Sequence, residues 1–515
     1  MEALRTQLLL PAGVGASQAA DRLAGHVALV TQRAHTIDRT FWDTFDGRLH
    51  SAGLALIDSS SRVALVDATT YAERAAGDLA RGQRRLLAAE LPAAALREAL
   101  EPIVEMRALT PITRVRSRML PVNVLDELGK IVVRLYAEEP TALPGGDAKL
   151  VLRPRLQVVG VRGYDADFER LVLLLTGELD LESAQRPVQD DAVQATGGVV
   201  GGVSSKLRVT LAPGERADAA AVTIMRRLLE TIEANLPGAI ADVDSEYLHD
   251  LRVAVRRSRA LQRELRGVFS REPLRVFRDN FRDLQVLTGP VRDLDVQLLE
   301  FGDLTATLSP SVAADVAPLR ALLERRLFVE RQKMVRGLRA DRTRVLLDNW
   351  RDFLDALVDA PEGDRPDAAR PVADVAGERI GKVYRRMVSM GRAIDEHSPH
   401  EALHDLRKKG KELRYLLEFF ASLYPSDVVK PMVSTLKGLQ DVLGRFQDRE
   451  VQADALRALG DDIAAIEGGA AALMAMGVLV ERLTAEQEQA RAHFDERFAQ
   501  FAAKPQRRLV KQTFG

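Results

Sequence analysis

The 515-residue chain contains no cysteine. That absence excludes a disulfide framework, thiolate zinc sites, iron–sulfur clusters and a cysteine nucleophile, and it fits a reducing compartment. Aromatic residues make up only 5% of the chain, which leaves little of the stacking surface that nucleic-acid binders use. An excess of one charge is missing too. Lys plus Arg number 73 and Asp plus Glu 74, a net charge of −1, so an electrostatic function requires local segregation of charge. Long apolar runs are lacking as well: the most apolar, LVLLLTGEL over Leu171–Leu179, is far too short to span a bilayer. The N-terminus, MEALRTQLLLPAGVGASQAADR, has no basic region ahead of a long apolar core and is not read as a signal peptide. A soluble intracellular protein, with no membrane partner and a cytoplasmic location, is expected.

What is present falls into two parts. Before residue 185, short segments alternate between apolar and polar residues, as in VALVDATTYAERAAG, KIVVRLYAEE and AKLVLRPRLQVVGVRGY. They read as strands of an antiparallel sheet, with helices around 16–31, 93–105 and 164–176. An α+β domain is expected over 1–185. A stretch rich in Gly, Ser and small polar residues follows and reads as a linker over 186–216. Its GGVVGG lacks the lysine of a phosphate loop. From 217 to 515 apolar residues recur at spacings of three and four, so an all-α domain of packed bundles is expected. Breaks are placed at Pro237, Pro273, Pro290, Pro361, Pro371, Pro399 and Pro425, with helices of two to six turns between them.

The helical part repeats itself. Glu246-x-Leu248-His249-Asp250-Leu251-Arg252 returns 155 residues later as Glu401-x-Leu403-His404-Asp405-Leu406-Arg407. At the same offset and without a gap, Arg259 meets Arg414, Leu284-Gln285 meets Leu439-Gln440, Gly289 meets Gly444 and Asp293 meets Asp448. Two related helical bundles, about 217–360 and 372–515, therefore stand in tandem with pseudo-twofold symmetry.

On a helix, His249, Arg252, Arg256, Arg259 and Arg263 form one stripe, and His404, Arg407, Lys411 and Arg414 form its copy, with Lys408 beside it. Leu251, Val255 and Leu265, then Leu406, Leu413 and Leu417, lie on the opposite face. Further basic residues follow on the next helix of each unit, among them Arg275, Arg278 and Arg282, or Lys430 and Lys437. Eleven arginines against five acidic residues stand between His249 and Arg292. The stripe has few acidic partners one turn away, so ion-pair lacing is not expected. Like charges held together suit a polyanion, and with Tyr415 the one aromatic beside them, a chain of phosphates fits better than nucleic acid.

The repeated H-x-x-R-x-x-x-[RK]-x-x-R block, with LQ…G…D downstream, resembles the CHAD domain, the conserved histidine α-helical domain. The resemblance covers about 217–515. It implies two bundles flanking a basic surface that binds inorganic polyphosphate, with His249, Arg252, Arg256, Arg259, His404, Arg407, Lys411 and Arg414 on it. Arg263, Lys408, Arg282 and Lys437 join them from the stripe and from the following helix. The second block departs at Gly410 and Glu412, where the first has Val255 and Arg257, so a weaker hold on ligand is expected there. The N-terminal part resembles a degenerate CYTH domain, the triphosphate-tunnel fold. Arg39–Ile57, with Asp43-Thr44 and Leu49-x-x-x-Gly53, carries the likeness, and RVRSRM (Arg114–Met119) and GKIVVRL (Gly129–Leu135) resemble that family's basic strands. Its opening strand should hold a Glu-x-Glu-x-Lys metal site. This chain has Arg5 and Gln7 there instead, so no catalysis, no metal and no cofactor are expected. The alternatives are a CYTH-type triphosphatase or polyphosphatase tethered by the helical domain, and a nucleic-acid-binding module.

His400-Glu401-x-x-His404 matches the zinc-protease pattern HExxH. The first repeat has Ser245 in place of His400 while keeping the glutamate and the second histidine. The shared element is thus E-x-L-H-D-L-R, and zinc hydrolysis is not expected.

Overall fold

The computed structural model describes residues 4–60, 62–79, 82–306 and 308–514. It divides into two compact units, Met1–Ser204 and Ser205–Gly515.

The first unit runs β1 (Arg5–Leu9), α1 (Ala16–Ala24), β2 (Leu29–Thr31), β3 (His35–Thr44), α2 (Arg48–Ser51), β4 (Leu54–Ser59), β5 (Arg62–Asp67), β6 (Glu73–Asp78), α3 (Ala94–Val104), β7 (Leu109–Leu125), β8 (Ile131–Gly145), β9 (Ala148–Val151), β10 (Arg155–Gly160), α4 (Asp165–Gly177), β11 (Glu182–Ser183) and α5 (Val188–Ala195). The strands form one antiparallel sheet in the order β11-β1-β10-β8-β7-β3-β4-β5-β6, with β2 on β7 and β9 on β8. The sheet curls into a half-barrel, consistent with the CYTH-like tunnel expected from the sequence.

Three expectations are corrected here. The first helix ends at Gly25, and Leu29–Thr31 pairs with β7 instead of extending it. On β7 the period-two alternation of a strand buries Val115, Ser117 and Met119 and leaves Arg114, Arg116 and Arg118 outside. There Arg116 pairs with Asp38 at 2.7 Å and Arg118 with Glu139 at 3.0 Å, so the RVRSRM arginines do not line the interior. Nor is 186–216 linker throughout. Its first part forms α5, which buries Val188, Ala192 and Val193. The glycine run then packs on the chain after β3, with Val203 N–H donating to the Phe45 carbonyl at 2.8 Å. A Cβ on Gly202 (φ +72°) would lie 2.5 Å from that carbonyl oxygen. Glycine serves close backbone approach at that point, as well as the positive φ.

The second unit is all-helical: α6 (Ala217–Ala241), α7 (Ser245–Glu264), α8 (Arg271–Ala306), α9 (Pro310–Asp315), α10 (Ala317–Arg339), α11 (Asp341–Leu357), α12 (Val372–Arg392), α13 (His400–Phe419), α14 (Ser426–Ala458), α15 (Gly460–Ala464), α16 (Gly469–Ala492), α17 (Phe494–Phe501) and α18 (Lys504–Phe514). The repeat extends to the element boundaries. α6, α7 and α8 begin 155 residues before α12, α13 and α14, and the short 3-10 turns Arg266–Val268 and Ala421–Leu423 keep the same offset. No helix among the described residues is long and apolar enough to cross a membrane.

The prolines interrupt less than expected. Pro371, Pro399 and Pro425 do stand immediately before α12, α13 and α14. Pro237 and Pro290, however, lie inside α6 and α8, and Pro273 lies in the first turn of α8. A mid-helix proline removes one backbone hydrogen bond and costs about 3 kcal/mol. In α8 the buried stripe Leu274–Phe277–Phe281–Leu284–Thr288–Val291–Asp295 carries on past Pro290 at helical spacing, and its packing offsets that cost. The result is a 36-residue helix. The first repeat also has an aromatic core. Trp350 is fully buried, with the Phe277 ring centroid 4.7 Å and that of Phe281 5.5 Å away.

Candidate functional site

The first-repeat stripe begins where Asp244 caps α7, its carboxylate accepting the Glu246 and Tyr247 N–H groups at 2.9 and 3.1 Å. Leu251, Val255 and Leu261 bury one face of α7 completely. This leaves Arg252, Arg256 and Arg259 along its edge, half-buried rather than fully solvated. Arg252 Nη1 donates to the Gln285 carbonyl and to Thr288 Oγ1, both at 2.9 Å. Arg259 Nη1 donates to Gln285 Oε1. Arg256 Nε reaches Tyr415 Oη on α13 at 2.7 Å. Among the described residues no carboxylate pairs with any of these three arginines. Burial pushes the guanidinium of Arg252 down from its usual pKa, with Arg256 and Arg292 adding to the effect and Asp293 opposing it. Burial does the same to Arg259, helped by Arg263, Arg282 and Arg278. These three arginines therefore sit among like charges and form no ion pair among the described residues, although Asp293 offsets part of the repulsion at Arg252. Gly289 of the LQ…G motif lies beneath the Arg252 guanidinium, where a Cβ would stand 3.6 Å from Nη1.

The second-repeat stripe differs. Arg407 pairs with Asp448 at 2.9 Å, Lys408 with Asp405 at 2.6 Å and Arg414 with Glu418 at 2.7 Å. His404 Nδ1 is bonded to Gln447 Oε1. The expectation that the stripes lack ion-pair lacing thus holds for Arg252, Arg256 and Arg259 of the first copy and fails for the second, where the acidic partners come from neighbouring turns of α13 and from α14. Lys411 is the exception and makes no ion pair among the described residues. Burial drives its pKa down to about 8, with Arg407 and Arg256 contributing and Asp448 opposing. Since Arg256 belongs to the other repeat, the two stripes meet at Lys411 and Tyr415.

Between α7 and α13 the pseudo-symmetry is also visible as charge. Arg257 pairs with Glu418 at 2.6 Å, and Arg263 with Glu412 at 3.5 Å. Positions 257 and 412, and positions 263 and 418, are repeat mates, so one pair is the image of the other with the signs exchanged, as a self-complementary twofold contact demands. Glu412, the departure seen in the sequence, is therefore an inter-repeat clasp. Arg263 is held in it, between Glu264 and Glu412, and its expected place on the open stripe is corrected accordingly. Burial, and Glu412 beside it, raise the Glu264 carboxyl above its ordinary pKa. The other departure, Gly410, is a packing position, since a Cβ there would lie 3.4 Å from Met387 Cε. On α8 and α14, Arg282 and Lys437 are exposed. Arg282 has loose pairs with Asp279 at 3.5 Å and Asp283 at 3.7 Å. His249 is half-buried on α7. Thr288 was not found by reading the sequence, because its role depends on a neighbouring helix.

The zinc-protease pattern has another use. His400 Nδ1 bonds Glu450 Oε1 at 2.7 Å, and both histidines of the pattern are thus held by α14. No group of three or more metal-ligating side chains occurs among the described residues.

Inside the half-barrel lies a cavity of about 260 Å³ lined by Gln7, Arg39, Tyr71, Glu138 and Arg155, among others. Its charges are satisfied internally. Arg39 is bonded to Glu138 and to Ser117, the latter at 2.8 Å. Arg155, almost fully buried, is held at 2.6 Å by Asp191 of α5. Gln7 donates to the Thr69 carbonyl at 2.9 Å. Burial lifts the Tyr71 hydroxyl to about 12. The carboxylates here, Glu138 and Glu73, are taken by Arg39 and Arg62, so this donor set does not fit the divalent metal of a catalytic tunnel. Arg155 gave no signal in the sequence.

Comparison with known proteins identifies the helical domain. The family model of the CHAD domain matches residues 223–457. Two uncharacterised proteins of Mycobacterium tuberculosis, from two strains, are each 29% identical over 220 residues, which is 41% of this chain and 40% of theirs. The chain thus matches less than half the length of these curated relatives. Among solved structures, the CHAD domain from the plant Ricinus communis is similar at 23% identity and a TM-score of 0.49, over 58% of this chain and 96% of that one. PptA from Streptomyces chartreusis is similar at 17% identity and a TM-score of 0.42, over 55% of this chain and 99% of that one. The tandem bundles, the repeated H-x-x-R faces and the family match over residues 223–457 agree, and this chain carries a CHAD domain.

Proposed function

We propose that the protein binds inorganic polyphosphate on the basic faces of α7, α8, α13 and α14, and that it associates with intracellular polyphosphate, in the cytoplasm or at granules, without hydrolysing it. One observation carries the reading: Arg252, Arg256, Arg259 and Lys411 are partly buried along the facing stripes of α7 and α13 and form no ion pair among the described residues. Such a cluster is relieved by an anion with many closely spaced charges, and guanidinium groups suit phosphate oxygens. Among the described residues, Tyr415 is the one aromatic beside these cations; it is largely buried, and its hydroxyl is already bonded to Arg256. That favours a chain of phosphates over stacked bases.

Competition tests it. Polyphosphate should displace a labelled polyphosphate from the full chain at far lower concentration than single-stranded or duplex oligonucleotide of matched charge. Equal competition would turn the assignment to nucleic acid. For the first unit, the support for a non-catalytic role is the internal pairing of Glu138 and Glu73. Incubation with tripolyphosphate and Mg²⁺ or Mn²⁺ should release no phosphate above a heat-killed control, and turnover abolished by Glu138→Gln would overturn that part.

A further inference from the structure

The two basic faces come from one repeated sequence, yet their cations are in different states. In the first repeat Arg252, Arg256 and Arg259 each spend one or two of their five N–H donors on neutral acceptors: the Gln285 carbonyl, Thr288, Gln285 Oε1 and Tyr415. The remaining donors and the whole positive charge stay available to a ligand. In the second repeat Arg407 and Arg414 already hold carboxylates. A phosphate arriving there exchanges one anion for another, and the net gain is small. The junction belongs with the first repeat, because Arg256 reaches across to Tyr415, and Lys411 stands beside Arg256 without an ion pair among the described residues.

We propose, resting on the polyphosphate reading, that this surface engages its ligand in two stages: a short phosphate chain sits on Arg252, Arg256, Arg259 and Lys411, and Arg407 and Arg414 are recruited only by a chain long enough to reach them and displace Asp448 and Glu418. A tethered chain end is present at high effective concentration. The exchange that a free short anion cannot drive therefore becomes favourable once the rest of the chain is anchored. The carboxylates of the second repeat act as a length filter. Asp448 is well placed for this role, being exposed and turned to Arg407. Its repeat mate Asp293 forms no ion pair with Arg252 among the described residues, and burial raises its carboxyl above the ordinary range.

The experiment titrates the full chain with tripolyphosphate and with long-chain polyphosphate, each against Arg252→Gln and Arg407→Gln. Arg252→Gln is expected to weaken both ligands by about tenfold, the worth of one charge-assisted contact. Arg407→Gln is expected to weaken the long chain at least threefold more than tripolyphosphate. In an Asp448→Asn background, where the filter is removed, Arg407→Gln should weaken tripolyphosphate as much as the long chain. Lys411→Gln removes a cation that has no ion pair to lose, should weaken both ligands alike, and replaces Arg252→Gln if that variant loses its melting transition. Staged engagement is overturned if Arg407→Gln weakens both ligands by the same factor in the unmodified chain, or if the first-repeat variants spare tripolyphosphate. If the unmodified chain binds neither ligand, the polyphosphate reading falls and takes the staging with it. Tight binding with equal factors defeats the staging alone.

Discussion

The first repeat leaves Arg252, Arg256 and Arg259 without an ion pair among the described residues, and the second neutralises Arg407, Lys408 and Arg414. The backbone does not explain this, since helix starts agree at the 155-residue offset. The divergence lies in side chains one layer out. Arg252 turns onto the bare surface at Gly289 and bonds Thr288, whereas its mate Arg407 reaches Asp448. Arg259 bonds the neutral Gln285, whereas Arg414 bonds Glu418 one turn on. A duplicated scaffold thus keeps its fold symmetric while its charge becomes polar, because an exposed ion pair is worth less than about 1 kcal/mol and drifts without harming the core.

The largest effect expected concerns the cores. Trp350 packs among Phe269, Phe277 and Phe281, whereas the aromatic cluster of the second bundle is built from Tyr384, Phe494, Phe498 and Phe501 and holds no tryptophan. Trp350→Ala should cost about 3–5 kcal/mol, read by chemical denaturation. A single cooperative transition that moves as a whole would show one folding unit; two transitions would separate the bundles.

Next comes Lys411. A lysine whose folded pKa is lowered from 10.5 to about 8 destabilises the folded state fully below pH 8. Between pH 8 and 10.5 the unfolded chain holds the proton that the folded chain has released, so stability rises with pH in that window. Anion binding has the opposite sign, because deprotonation removes a cation from the surface. Polyphosphate affinity should fall by up to about tenfold between pH 7 and pH 9.5, while this lysine's contribution to the melting temperature increases. Lys411→Met should flatten both trends. Parallel trends, or trends unchanged in the variant, would assign the pH dependence elsewhere.

The smallest effect is at the clasp. Double-mutant cycles on Arg257–Glu418 and Arg263–Glu412 should give about 1 kcal/mol for the first, shorter and more buried pair, and a few tenths for the second. Equal couplings would mean that the symmetric sequence, not the local geometry, sets their strength.

Much of the fold was legible because it depends on local rules. The α7 and α13 stripes, the buried leucines opposite them and the α+β then all-α order follow from periodicity alone. What was missed depends on distant partners. Pro290 sits inside α8 because a buried stripe runs past it on both sides. The β7 arginines point outward because register, which composition does not reveal, places Ser117 and Met119 inside. Asp448 pairs with Arg407 from 41 residues away, so counting acidic residues one turn along the helix understated the lacing of the second face. Glu412 looked like a loss of ligand affinity until its partner Arg263 was in view.

The most direct test is a titration of the full chain with long-chain polyphosphate at two salt concentrations, comparing Arg252→Gln/Arg256→Gln with Arg407→Gln/Arg414→Gln. Tight binding that weakens steeply with salt, lost by about a hundredfold in the first variant and by about tenfold in the second, is the result expected. Salt-insensitive binding, or equal losses in the two variants with unchanged melting temperatures, would contradict a polyphosphate surface led by the first repeat.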